Sequence, residues 1–158
     1  MKPAEILKLI ALIILCQLAG VIGSFFTFDA IPSWYADLAR PDFAPPNWVF
    51  GPVWITLYTL MGISAYLILR KGVDKEEVRI ALGVFGIQLF LNALWSILFF
   101  GLRSPFYAFV EIILLWISIA ASIVLFWRIS RKAAWLLIPY LLWVSFAAIL
   151  NFYIWILN

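Results

Sequence analysis

Five stretches of this chain stay apolar for longer than a buried helix of a small soluble domain requires, and no other feature constrains the fold as strongly. The first contains LIALIILCQLAGVIGSFF. A hydrocarbon core about 30 Å thick takes roughly 20 helical residues to cross, and a 158-residue chain of which 66% is hydrophobic and 12% charged has room for about five such crossings and little else. The fold expected is all-α: one transmembrane domain over residues 1–158, with helices near Ile6–Phe28, Pro46–Arg70, Arg79–Gly101, Pro105–Arg128 and Ala133–Leu157. A β-barrel would alternate apolar and polar residues with period two, and these runs are apolar all round. A cleaved leader fits the first run poorly, because it is too long for a signal-peptide core and lacks a small-x-small cleavage site.

Charge orients the bundle. With five crossings Lys2, Lys8, Arg70, Lys71, Lys75, Arg79, Arg128, Arg131 and Lys132 fall on one side, and Arg40 and Arg103 on the other. The positive-inside rule then expects a cytoplasmic N-terminus and an outside C-terminus, in the plasma membrane if the host is prokaryotic. The net charge of +3 follows from this topology and carries no nucleic-acid footprint, although the basic rim suits anionic lipid. Cys16 has no thiol to pair with and histidine is absent. The commonest general base and the commonest haem or zinc ligand are therefore missing. With no phosphate loop or carboxylate cluster either, no metal site and no obligatory cofactor are expected.

One connection is long. Residues 29–45 carry WYADLARPDFAPP, whose aromatics suit either an interfacial anchor or a lid over the end of the bundle. After it comes PDFAPPNWVFGPVWITLY, with proline at the edge of a membrane helix. Pro46 fits the first helical position, where a missing N–H costs nothing; Pro52 is expected to free the Trp48 carbonyl and bend the helix one turn in. Trp54, Tyr58 and Met61 share a face beyond the bend. On the third helix Gln88, Asn92 and Trp95 share another, turned inward because lipid solvates amides poorly. Glu111, on the fourth, must be paired, protonated or wet, with Arg103 its nearest candidate partner. On the fifth, Pro139 is expected to bend a helix that sets Trp143, Ala147, Leu150 and Asn151 on one face. Large beside small suits either close packing or a slot for a flat apolar ligand.

Taken together, GSFF, WYADLARPDFAPPNWVFGPVWITLYTLMG, QLFLNALWSILFFG and AWLLIPYLLWVSFAAILNFYIW resemble the translocator protein family, also called tryptophan-rich sensory proteins. The resemblance spans nearly the whole chain. It implies a five-helix bundle, usually a homodimer, that binds porphyrins such as protoporphyrin IX in a pocket under the loop between helices one and two. The pocket residues it implies are Pro45, Pro46, Phe50, Gly51, Val53 and Trp54 on helix two and Asn92 and Trp95 on helix three. Tyr107, Val110 and Leu114 belong to helix four, and Trp143, Ala147 and Leu150 to helix five. Two departures stand out. FYIWILN lacks the basic residue of the vertebrate sterol motif, and Tyr107 replaces the tryptophan of many relatives.

Three functions are open on this reading. The first is capture of a planar tetrapyrrole, or another flat apolar molecule, by a sensor, scavenger or carrier; without histidine a metal-free porphyrin suits it better than haem. The second is an enzyme, since the resemblance implies light- and oxygen-dependent porphyrin degradation involving Trp54 and Trp143. The third is a transporter, disfavoured by an odd number of spans and an interior with one acid. For a homodimer, Ala19-x-x-x-Gly23 and the small residues Ala81, Gly83 and Gly86 offer close-packing surfaces.

Overall fold

A computed structural model describes residues 2–158. It contains five long helices: α1 (Pro3–Ala30), α2 (Phe50–Leu69), α3 (Glu76–Ser96), α4 (Pro105–Ile129) and α5 (Arg131–Leu157). All five are long and apolar enough to cross a membrane. They close a ring in the order α1, α2, α5, α4, α3, with α3 returning to α1. The turns between α2 and α3, α3 and α4, and α4 and α5 are short, which makes those neighbours in sequence antiparallel.

The first helix runs further than expected. Pro32 cannot donate to the carbonyl four residues back, and the chain answers by widening into a π turn over Ile31–Tyr35 instead of ending. Helical backbone continues to Asp37, so the long connection is about half the length read from the sequence. Trp34 and Tyr35 thereby become helical residues. Both pack on Phe99 and Phe100 in a second π turn, Ile97–Gly101, that ends α3.

Pro46 caps a short 3-10 turn, Asn47–Val49, and α2 proper starts at Phe50. Pro52 consequently lies in the first turn of α2, where its missing N–H interrupts no established ladder. α5 continues unbroken through Pro139. The rest of the connection is fixed to α5. Asn158 Nδ2 donates to the Ala39 carbonyl and Ala39 N–H donates to Asn158 Oδ1, both at 3.0 Å. Phe43 sets its ring edge-on to Phe146 and Tyr153, and the Arg40 guanidinium sits 5.1 Å from the Tyr35 ring centre.

Side-chain hydrogen bonds stitch the ring where lipid offers none. Ser64 Oγ donates to the Ala133 carbonyl (2.7 Å), Tyr66 Oη to Glu5 Oε2 (3.0 Å) and Trp116 Nε1 to Ser145 Oγ (2.8 Å). Such bonds contribute on the order of 0.6–2 kcal/mol each in membranes. The expected Glu111–Arg103 pair does not form. Arg103 is exposed at the α3–α4 corner in a left-handed conformation (φ 52°), while both Glu111 oxygens are buried without a hydrogen-bond partner. Among the described residues the ion pair present is Lys8–Glu5, at 3.0 Å.

Glycines set how closely the helices approach. A Cβ on Gly62 would lie 2.5 Å from Ile13 Cα and 2.8 Å from Ile13 N, which is backbone and cannot yield; one on Gly51 would meet nothing within 4 Å. Gly62→Ala is therefore expected to destabilise the protein by about 1–3 kcal/mol through overpacking. Gly51→Ala should be neutral or stabilising by up to about 1 kcal/mol, as for glycine in a helix. Unfolding of the two variants in detergent, followed by circular dichroism, checks the contrast.

Candidate functional site

At the end of the bundle where α1 leads into α2, the helices surround a cavity of about 570 Å³. Small-molecule sites span roughly 300–1,000 Å³. Its walls follow from where the aromatic faces point. α2 supplies Phe50, Gly51 and Trp54; α3 supplies Asn92 and Trp95; α5 supplies Trp143, Ala147 and Leu150. Eight of the residues singled out in the sequence thus meet around one space.

Six do not reach it. Tyr107, Val110 and Leu114 are 60%, 49% and 54% exposed on the outside of α4. At 100° per residue they lie about 80° to 180° around the helix from Ala108, Ile112, Leu115 and Ile119, apolar residues that α4 buries. α4 meets the cavity through Ile112 and Leu115 instead. Val53 faces a shallow groove beside Pro139. Pro45 and Pro46 stand in the approach to α2, off the cavity wall, where they shape the backbone.

The wall supplied by α1 was missed. Gln17, Gly20, Ser24, Thr27 and Ile31 all border the cavity, and their spacing of three and four is that of one helix face. Small and polar residues recurring within an otherwise aliphatic run were the signal. The two π turns add Tyr35, Phe99 and Phe100.

Neighbouring rings hold the indoles in place. Trp54 stacks on Tyr58 (centroids 5.4 Å, planes 26° apart) and Trp95 on Phe99 (5.0 Å, 20°), while Trp143 meets Phe50 edge-on at 5.9 Å. Offset stacking and edge contacts of this kind stabilise by about 0.5–1.5 kcal/mol each beyond the area they bury. The polar atoms are mostly committed. Tyr58 Oη donates to Asn92 Oδ1 at 2.5 Å, and Asn92 Nδ2 donates to Tyr140 Oη at 2.9 Å. Trp95 Nε1 donates to Asn151 Oδ1 at 3.0 Å, whose Nδ2 donates to the Pro105 carbonyl at 2.8 Å. Trp143 differs, because its Nε1 is buried and has no partner. None of the described residues on the wall is charged, and none of the described residues forms a cluster able to hold a metal ion.

The model of the TspO/MBR family matches residues 12–156, which include every wall of this cavity. The chain belongs to the TspO/MBR family. It is 45% identical to "Tryptophan-rich protein TspO" of Chlorobaculum tepidum over 98% of both chains. It is 41% identical to "Translocator protein" of Homo sapiens over 88% of this chain and 83% of that one. The "Tryptophan-rich sensory protein" of Cereibacter sphaeroides is 34% identical over 87% and 82%. This TspO/MBR chain is accordingly an integral, multi-pass membrane protein.

The Asn92 bridge generates a measurable expectation. Asn92→Leu strands two tyrosine hydroxyls, Tyr140 fully buried and Tyr58 nearly so. The expected cost is about 1–3 kcal/mol of stability, the penalty for an unmet buried polar group. Thermal unfolding in detergent reads it.

Proposed function

We propose that this TspO/MBR protein binds a planar tetrapyrrole of the protoporphyrin class in the cavity, as a sensor, scavenger or carrier rather than as an enzyme or a coupled pump. One observation carries the reading. Three indoles from three different helices border one uncharged space. A flat macrocycle offers area to the rings.

Chemistry has little to work with here. Among the described residues of the wall there is no carboxylate, amine or thiol, and the Tyr58 hydroxyl already donates its hydrogen bond to Asn92 Oδ1. Conversion of a bound porphyrin would rest on light, oxygen and the indoles of Trp54 and Trp143. In this reading no cofactor or metal is required, and bilayer lipid is the surrounding partner. If the host is prokaryotic, the protein sits in the plasma membrane, its basic rim and N-terminus cytoplasmic and its C-terminus outside. It pairs as a homodimer. Ala19, Gly23 and Ala81 are buried within the protomer, whereas Gly83 and Gly86 face outward on α3 with nothing within 4 Å of an added Cβ. They are the small residues left for a second copy.

Titration of purified protein with protoporphyrin IX should quench tryptophan fluorescence saturably; no quenching sinks the proposal. Trp143→Phe replaces the indole with a smaller phenyl ring and should weaken binding by about 0.5–1.5 kcal/mol, the worth of one aromatic contact beyond the area it buries. Under illumination, loss of a wild-type photoproduct in Trp54→Phe or Trp143→Phe would shift the reading from binding to catalysis.

A further inference from the structure

At the end of the bundle that holds the start of α1, the basic residues occupy two kinds of corner. In the α2–α3 turn, Arg70, Lys71, Lys75 and Arg79 share a short stretch with Asp74, Glu76 and Glu77. Arg79 Nη1 there donates to the Val73 and Asp74 carbonyls, at 3.4 and 3.1 Å. The α4–α5 corner has no such compensation. Arg128, Arg131 and Lys132 fall within residues 128–132, all three exposed, and no Asp or Glu follows Glu111 in the chain. The ion pair among the described residues is Lys8–Glu5, so none of the three has a carboxylate within 4.0 Å.

Two large rings stand beside those charges. Trp127, near the end of α4, and Trp135, one turn into α5, pack together with centroids 5.8 Å apart, yet stay 42% and 61% exposed. The Arg131 guanidinium lies 5.5 Å from the centre of the Trp127 ring, within the reach of a cation–π attraction. Stacking on a ring occupies the face of the guanidinium and leaves its N–H groups directed outward in the plane, where they can meet an anion. The depth is that of lipid headgroups. The α4 span ends at Ile129 and the α5 span begins at Arg131, and at 1.5 Å per residue the two indoles stand about 3 and 6 Å inside those ends. A pair of tryptophans alone would anchor the helices at the interface. Three uncompensated cations beside them add a demand for negative charge.

We propose that the α4–α5 corner is a binding site for one anionic phospholipid. Its phosphate meets the Arg131 guanidinium seated on Trp127, Arg128 and Lys132 add charge beside it, and the upper part of its acyl chains rests on Trp127 and Trp135. A lipid suits the corner better than a free anion, because charge and apolar area are offered together at the membrane edge. The bound headgroup joins the end of α4 to the start of α5. The site lies at the opposite end of the bundle from the cavity and does not depend on the tetrapyrrole reading.

Native mass spectrometry of the detergent-solubilised protein tests this, with phosphatidylglycerol or phosphatidylcholine titrated in. Wild-type protein should retain phosphatidylglycerol in preference to phosphatidylcholine; equal retention of the two overturns the site. Arg131→Gln/Lys132→Gln should weaken the first phosphatidylglycerol bound by about tenfold or more, since one basic residue at an anionic surface is worth about fivefold. Lys71→Gln/Lys75→Gln removes the same charge from the compensated turn and should leave that binding unchanged. Equal weakening by the two double variants marks a diffuse basic rim and overturns the site. Arg131→Lys keeps the charge but loses the planar fork, and should fall between wild type and the corner variant. If the corner variant does not fold, Arg131→Lys decides alone, and wild-type binding in it overturns the proposal. Inorganic phosphate at the concentration of the lipid should not displace it, because phosphate lacks the chains that rest on the indoles. Displacement marks a free-anion site and also overturns the proposal.

Discussion

The amide of Asn92 holds the structure open. Tyr58 from α2 and Tyr140 from α5 both end on this one side chain of α3. Two phenol rings and an amide form a rigid spacer across the bundle, in a medium where none of the three polar ends could find water. Without the spacer, the apolar faces of α2, α3 and α5 would be free to approach until their side chains met. With it, Tyr58 supports Trp54 from beneath, and the cavity exists because the three helices cannot close on one another.

The second chain of polar contacts works in the same sense at the neighbouring corner. Trp95 leans on Asn151 and Asn151 on the Pro105 carbonyl, which ties α3, α5 and the start of α4. The indole of Trp95 thus has a fixed tilt, reinforced by its stack on Phe99. The two π turns then bring Trp34 and Tyr35 onto Phe99 and Phe100, so that the end of the cavity is walled by helix termini instead of loose loop. π turns are frequent where a helix must re-aim side chains at a site. Here one is explained by Pro32 and the other follows no proline.

Much of this was legible in the sequence. Five apolar runs fix five helices, all but the end of the first to within a few residues, because hydrocarbon thickness leaves little choice of length. The faces carrying Asn92, Trp95, Trp143 and Ala147 were readable from amides and small residues at helical spacing. What escaped had physical reasons. Proline normally ends a helix, so the extension through Pro32 depends on a π turn that sequence does not announce. Tyr107, Val110 and Leu114 share a helix face as well as Ala108, Ile112 and Leu115 do, and both faces are apolar. In a membrane protein lipid is as apolar as core, so hydrophobicity cannot say which face turns inward. α1 illustrates the converse, since its inward face is the less hydrophobic one, marked by Gln17, Ser24 and Thr27.

The uncharged cavity inside a membrane bundle has a consequence for what binding strength means here. Its walls are mostly apolar, and so are the acyl chains around the bundle. A flat apolar ligand arriving from the bilayer leaves lipid tails, not water. Its apparent affinity is then a difference between two apolar surroundings, set partly by chain length and unsaturation, and the same protein would discriminate differently in membranes of different composition.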